Sequence, residues 1–235
     1  MKALMKLPIQ YQGVLHNVRL LNFSVDPDEV MIHLPEGIVP NLYRKRVLFS
    51  MVNVQLKNMK PTATGDLFAF SYRHVAFRML VEDDHLTREG NRGIYFYKSF
   101  TDNPLVYRGG NLLTTFKFEK ASIQDIGYLF ELNSGDHYVK YALDETREAE
   151  GDYRLKQRVA ALDRAYAPIG KDLYCLQVER ESWPIEWVDC YRFETNFFET
   201  ARFEGAFQIR KTIDYRWGGM RKVGTLAHAP MPAAC

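Results

Sequence analysis

The stretch YRHVAFRMLV (72–81) decides the fold. By the two-residue period of a strand, Val75, Phe77, Met79 and Val81 share one side, and Tyr72, His74, Ala76, Arg78 and Leu80 share the other. A surface strand sets an apolar face against a polar one. Here one face is wholly apolar and the other mixes apolar residues with a histidine and an arginine. That pattern suits a barrel or strongly curved sheet with both faces covered, one of them lining a polar pocket. A plainer reading leaves Arg78 at a rim, its stem on apolar surface and its head in water, and the period alone favours it slightly.

On either side, VLFSMVNVQL (47–56) reads as a buried strand before this one, and GIYFYKSF (93–100) as the return strand of a hairpin whose charged tip runs through Asp83, Asp84 and His85. Further strands are expected at 112–121, 127–132, 137–143, 173–179, 187–194 and 207–217, with NSGD (133–136) as the turn between 127–132 and 137–143. Helices are few. Leu155, Val159, Leu162 and Tyr166 have helical spacing over 152–166, with Asp152 as N-cap. A short helix over 103–107 ends at Gly109 and Gly110, and Asp26-Pro27 opens either a helix through Leu34 or a strand.

Composition agrees. Of 235 residues, 46% are hydrophobic and 26% charged, and the 14% aromatic content, with 15 Phe and 14 Tyr, leans towards strands. A net charge of +2 is too balanced for a polyanion partner, so nucleic acid is not expected. Lys6 and Pro8 break any signal-like apolar run, and no stretch reaches the ~20 apolar residues of a membrane span. Cys175, Cys190 and Cys235 lack metal spacing and suit a reducing cytoplasm. The breaker-rich stretch 60–66 is a loop, so one domain is expected, with a core over about 12–220 and a tail from 224 to 235. The run ETNFFETARFEGAF (194–207) reads as core by default and leaves a homo-oligomer open.

Motifs for zinc, nucleotides or a serine nucleophile are missing, and no two of the six histidines lie closer than His74 and His85, so neither metal nor cofactor is expected. HVAFRMLVE (74–82), RGIYFYKSFTDNPLVYRGGNLL (92–113) and TFKFEKASI (115–123) order a strand ending in a polar turn, a G-x-Y-F-x-x-S segment, a short helix, then a second aromatic strand. This order resembles the YqjF-like domain of unknown function, a bacterial family in the acetoacetate decarboxylase-like superfamily. VDPDEVMIHLPEGI (25–38) and ESWPIEWV (181–188) are similar to further segments of that family.

The resemblance implies an α+β, β-rich fold: a cone-shaped, mainly antiparallel β-barrel with a few flanking helices and a small-molecule pocket inside. The decarboxylase forms a Schiff base on a buried lysine, an amine activated by desolvation and a cationic neighbour. Laid without gaps, its Pro-Lys-Lys falls on Lys117, Phe118 and Glu119, so the Schiff-base position is Phe118. Its acidic strand residue falls near His74. Acetoacetate decarboxylation by that route is therefore not expected. The resemblance implies instead a barrel that binds a small organic acid or polar metabolite. Arg78 or Arg108 meets an anion, His74 and Lys120 are the catalytic candidates, and Lys98, Tyr97 and Phe118 complete the lining. If it is an enzyme, its activity is lyase-like on a small carboxylic or keto acid. The alternative is a non-catalytic ligand-binding or protein-interaction module on the same barrel.

Overall fold

The computed structural model describes residues 10–63, 69–87, 90, 92–113, 117–147, 149–180 and 183–226. In chain order the elements are β1 (Tyr11–Val25), α1 (Pro27–Met31), β2 (Leu42–Tyr43), β3 (Arg46–Pro61), β4 (Phe70–Val81), α2 (Asp84–Thr87), β5 (Gly93–Thr101) and α3 (Pro104–Leu113). There follow β6 (Phe118–Lys120), β7 (Ser122–Ile126), β8 (Leu129–Ser134), β9 (His137–Asp144), α4 (Tyr153–Ala160), β10 (Arg164–Ile169), β11 (Asp172–Arg180), β12 (Glu186–Thr195), β13 (Arg202–Ile209) and β14 (Ile213–Thr225).

One strand path runs β2-β3-β4-β5-β10-β11-β14-β1-β13-β12-β9-β8-β7. Because β3 also pairs with β1 along its length, seven of these strands close on themselves as a barrel. Most pairs are antiparallel; β5 pairs in parallel with β10 and β6. Strand β1 makes the closure possible by serving two neighbours. Tyr11 to Leu15 pair with β14, and Val18 to Ser24 pair with β13. A register shift between His16 and Arg19 separates the two halves, with Asn17 at φ 50°. Such irregularities let a long strand bend between two sheets.

The two faces of β4 go where the two-residue period sends them. Val75, Phe77, Met79 and Val81 pack outside the barrel against Phe23, Phe49, Phe197 and Phe198, under the sheet that β7, β8, β9 and β12 extend. Tyr72, Ala76 and Leu80 face the interior with Leu56, Phe118 and Trp217. Helix α4 adds Leu155 and Val159 to that interior, and Asp152 caps it by accepting from the Arg154 amide at 2.8 Å.

Several boundaries differ from expectation. The 207–217 strand is two strands, parted at 210–212 because the chain leaves one half of β1 and returns to the other. The 152–166 helix stops at Ala160, and Tyr166 sits in β10, its hydroxyl donating to Asp83 at 2.9 Å. Helix α3 runs through Gly109 and Gly110 to Leu113, where a strand from 112 was expected; only Phe118–Lys120 of that segment is strand. Asp26-Pro27 opens a five-residue helix rather than a strand or a helix to Leu34. The 15-residue β1 was not foreseen. Strand β14 pairs through Thr225 and Leu226 is buried, so chain expected in the tail belongs to the sheet. The segments 1–9, 64–66 and 227–235, with Phe116 and Cys235, lie outside the described residues. Among the described residues, no helix is long and apolar enough to cross a membrane.

Candidate functional site

The barrel interior holds a cavity of about 60 Å³ lined by His74 and Arg78 from β4, Phe96 from β5, Arg164 from β10, Trp183, and Tyr215 and Trp217 from β14, among others. Since a water's share of liquid is ~30 Å³, the chamber has room for a group the size of a carboxylate.

Arg78 is 7% exposed. The rim reading is therefore corrected: β4 carries this side chain into the barrel, and the guanidinium stays inside. Its Nε donates to the Ser50 carbonyl at 3.1 Å and its Nη2 to Ser50 Oγ at 2.9 Å, both on the neighbouring β3. Its Cζ lies 5.9 Å from the Trp183 ring centroid. Among the described residues, no carboxylate lies within ion-pair distance of it. Burial pulls its pKa down to about 10, opposed by the Tyr215 hydroxyl, so the group stays charged at neutral pH. Arg164 differs. It donates to Asp163 at 2.8 Å and lies 3.8 Å from the fully buried Asp83.

His74 is buried on the same face of β4, four residues before Arg78, with Phe118 at 5.0 Å and Phe96 at 6.2 Å between ring centroids. Burial, and then the Arg78 charge, push its pKa down to about 3, so the imidazole is neutral near pH 7. Ser99 Oγ is fully buried on β5, whose register sets Ser99 opposite Ala76 and Phe118, and has no hydrogen-bond partner among the described residues.

The other expected residues are placed elsewhere. Strict alternation along β5 would put Lys98 beside Phe96, inside. Instead Phe77 pairs with Lys98 and Arg78 with Phe96, leaving Tyr97 as an extra residue. That bulge turns Lys98 to the outer face, where its Nζ meets Glu119 at 3.3 Å. Tyr97 packs outside the barrel on Phe49, 5.5 Å between ring centroids. Lys120 and Lys117 are exposed, and Arg108 is exposed on α3. Phe118 faces the interior, 3% exposed. Thus His74, Arg78 and Phe118 come together, and Lys98, Arg108, Lys120 and Tyr97 do not join them. Among the described residues, no lysine lines the chamber and no cluster could hold a metal ion.

Sequence reading missed Arg164, Trp183 and Tyr215. Trp183 had a signal, since ESWPIEWV (181–188) is one of the segments that carry the family resemblance. Arg164 was hidden by the helical spacing of 152–166, which ran through a strand.

A model of the family DUF2071, described as an uncharacterized conserved protein, matches residues 13–214. The chain belongs to the DUF2071 family. No curated protein matches its sequence. Solved structures similar to this DUF2071 chain include acetoacetate decarboxylases and an enzyme of enduracididine biosynthesis. The enduracididine biosynthesis enzyme MppR, complexed with the condensation product of pyruvate and imidazole 4-carboxaldehyde, has a TM-score of 0.63 at 14% identity, over 94% of this chain and 91% of its own. Acetoacetate decarboxylase from Legionella pneumophila has a TM-score of 0.62 at 12% identity, over 92% of this chain and 87% of its own. An acetoacetate decarboxylase-like enzyme from Sphingomonas wittichii has a TM-score of 0.61 at 10% identity, over 93% and 94%. At these identities the likeness shows the fold alone. This DUF2071 chain is thus an acetoacetate decarboxylase-like barrel.

Proposed function

We propose that the barrel is a non-covalent receptor for a small organic acid, whose carboxylate meets the Arg78 guanidinium. One observation carries this reading: a charged side chain buried inside the barrel has Ser50 for hydrogen bonds and, among the described residues, no carboxylate beside it. An uncompensated buried charge costs several kcal/mol, and a bound anion removes that cost. The planar guanidinium fork matches a carboxylate, with the donors that Ser50 does not take still available. Neutral His74 supplies a hydrogen-bonding group beside the charge rather than a second cation. The likeness to MppR, also solved with pyruvate, supports an acid as the class of ligand.

Among the described residues no amine is placed for Schiff-base chemistry, because Lys98, Lys117 and Lys120 sit outside the chamber. Calorimetric titration with acetate, butyrate, pyruvate and acetoacetate tests the reading. At least one acid should bind the native protein saturably and fail to bind Arg78→Met. Equal binding to both proteins would remove Arg78 from the site.

A further inference from the structure

A second, larger cavity lies at the mouth of the barrel, under α3. It measures about 230 Å³ and is lined by Tyr11, Met59, Phe70, Tyr72, Val106, Phe118 and Trp217, with Asn103, Leu105, Gly109 and Gly110. The described lining holds no charged side chain. Asn103 Oδ1 already accepts from the Leu105 and Val106 amides at 2.9 and 3.3 Å, capping α3. The chamber is therefore apolar with aromatic walls, and an apolar cavity of ~150 Å³ is large enough to take benzene. Its opening is marked by apolar side chains facing solvent: Leu105 is 81% exposed and Phe70 40%. Helix α3 lies close because Gly110 has no side chain; a Cβ there would come within 2.9 Å of Phe118 Cδ2.

The two chambers share a wall. Trp217 lines both, and Phe118, which lines the outer one, packs on His74 of the inner one. Arg78 and Tyr72 stand six residues apart on one face of β4, roughly 20 Å at the strand rise. A compact metabolite cannot touch both ends. A ring cannot pass the aromatic layer of Tyr72, Phe118 and Trp217 without displacing it, whereas an unbranched chain has the narrowest cross-section.

We infer that the acid bound at Arg78 is a straight-chain aliphatic carboxylate, its tail running past Phe118 and Trp217 into the cavity under α3. This inference rests on the Arg78 reading and names its ligand class. The test is a calorimetric series of saturated unbranched acids, acetate to dodecanoate, titrated below micelle-forming concentrations into the intact protein and into Val106→Phe and Arg78→Met. In the native protein, affinity should rise about fourfold per methylene over the lengths that enter the outer chamber, then level off. Val106→Phe should flatten the longer half of the series and leave acetate and butyrate unchanged. Leu105→Trp, at an exposed position, fills the same chamber from its rim and serves if Val106→Phe does not fold. Short acids that bind through Arg78 with no gain from length would overturn the tail assignment and leave the Arg78 reading standing. Long acids that bind native protein and Arg78→Met equally would overturn both.

Discussion

The ring centroids of Phe118 and His74 lie 5.0 Å apart inside the barrel. A gapless comparison with the decarboxylase pattern sets the reactive lysine at the first of these positions and an acidic residue near the second. In this chain a hydrocarbon ring and a neutral imidazole meet there instead. Among the described residues, the interior keeps the shape of the fold and holds no amine of the kind a Schiff base needs.

Borohydride reduction in the presence of pyruvate or acetoacetate should therefore leave Lys98, Lys117 and Lys120 unmodified in peptide maps. A stoichiometric reduced adduct on any of them would show that the lysine reaches the substrate, against the placement found here.

Arg78→Met should stay folded, with a thermal midpoint no more than about 3 °C below the native one. Replacing a buried charge by an apolar side chain of similar length is often neutral or stabilising by ~1–4 kcal/mol. The loss of two hydrogen bonds to Ser50, each ~1 kcal/mol net, works against that gain. A midpoint more than 8 °C lower would mean that Arg78 is chiefly a structural group.

Acid should expose His74. Folded His74 titrates near 3 and an unfolded histidine near 6.5, so between those values the unfolded chain binds the extra proton and stability falls with pH. At pH 5 the contribution is ~2 kcal/mol, from one and a half pH units at 1.36 kcal/mol each. His74→Phe should remove that part of the slope when urea midpoints are compared at pH 7 and pH 5. Parallel profiles for the two proteins would contradict it.

The floor of the barrel depends on Asp83. It is fully buried and accepts from Tyr166 Oη at 2.9 Å and the Arg92 amide at 3.0 Å, with Arg164 Nε at 3.8 Å. Gly93 allows this approach, since a Cβ there would come within 2.8 Å of the Asp83 carboxylate. Asp83→Asn removes the charge facing a buried guanidinium and should cost about 3 kcal/mol in chemical denaturation. A change below about 1 kcal/mol would show that Arg164 does not depend on the Asp83 charge.

What the sequence disclosed, and what it hid, follows from the distance over which each rule acts. The two-residue period of 72–81 separated the outer face from the inner one, because a strand buried on both sides still alternates strictly. That was enough to put His74 and Arg78 together. It failed for Lys98, because one extra residue at Tyr97 inverts the face of everything beyond it. No composition rule marks such a bulge. It failed again at Arg164, where apolar spacing of four, three and four imitated a helix across a helix–strand junction. Trp183 and Tyr215 reach the site from distant segments through barrel closure, and β1 joins two sheets at once. Those are relations between strands, and a single chain's pattern does not carry them.

The most direct measurement is a crystal structure of the protein with a bound straight-chain acid such as octanoate. One ordered ligand is expected, with its carboxylate oxygens within about 3 Å of the Arg78 guanidinium nitrogens and its chain directed past Phe118 towards α3. An ordered ligand whose carboxylate lies away from Arg78, with the inner chamber unchanged, would contradict it.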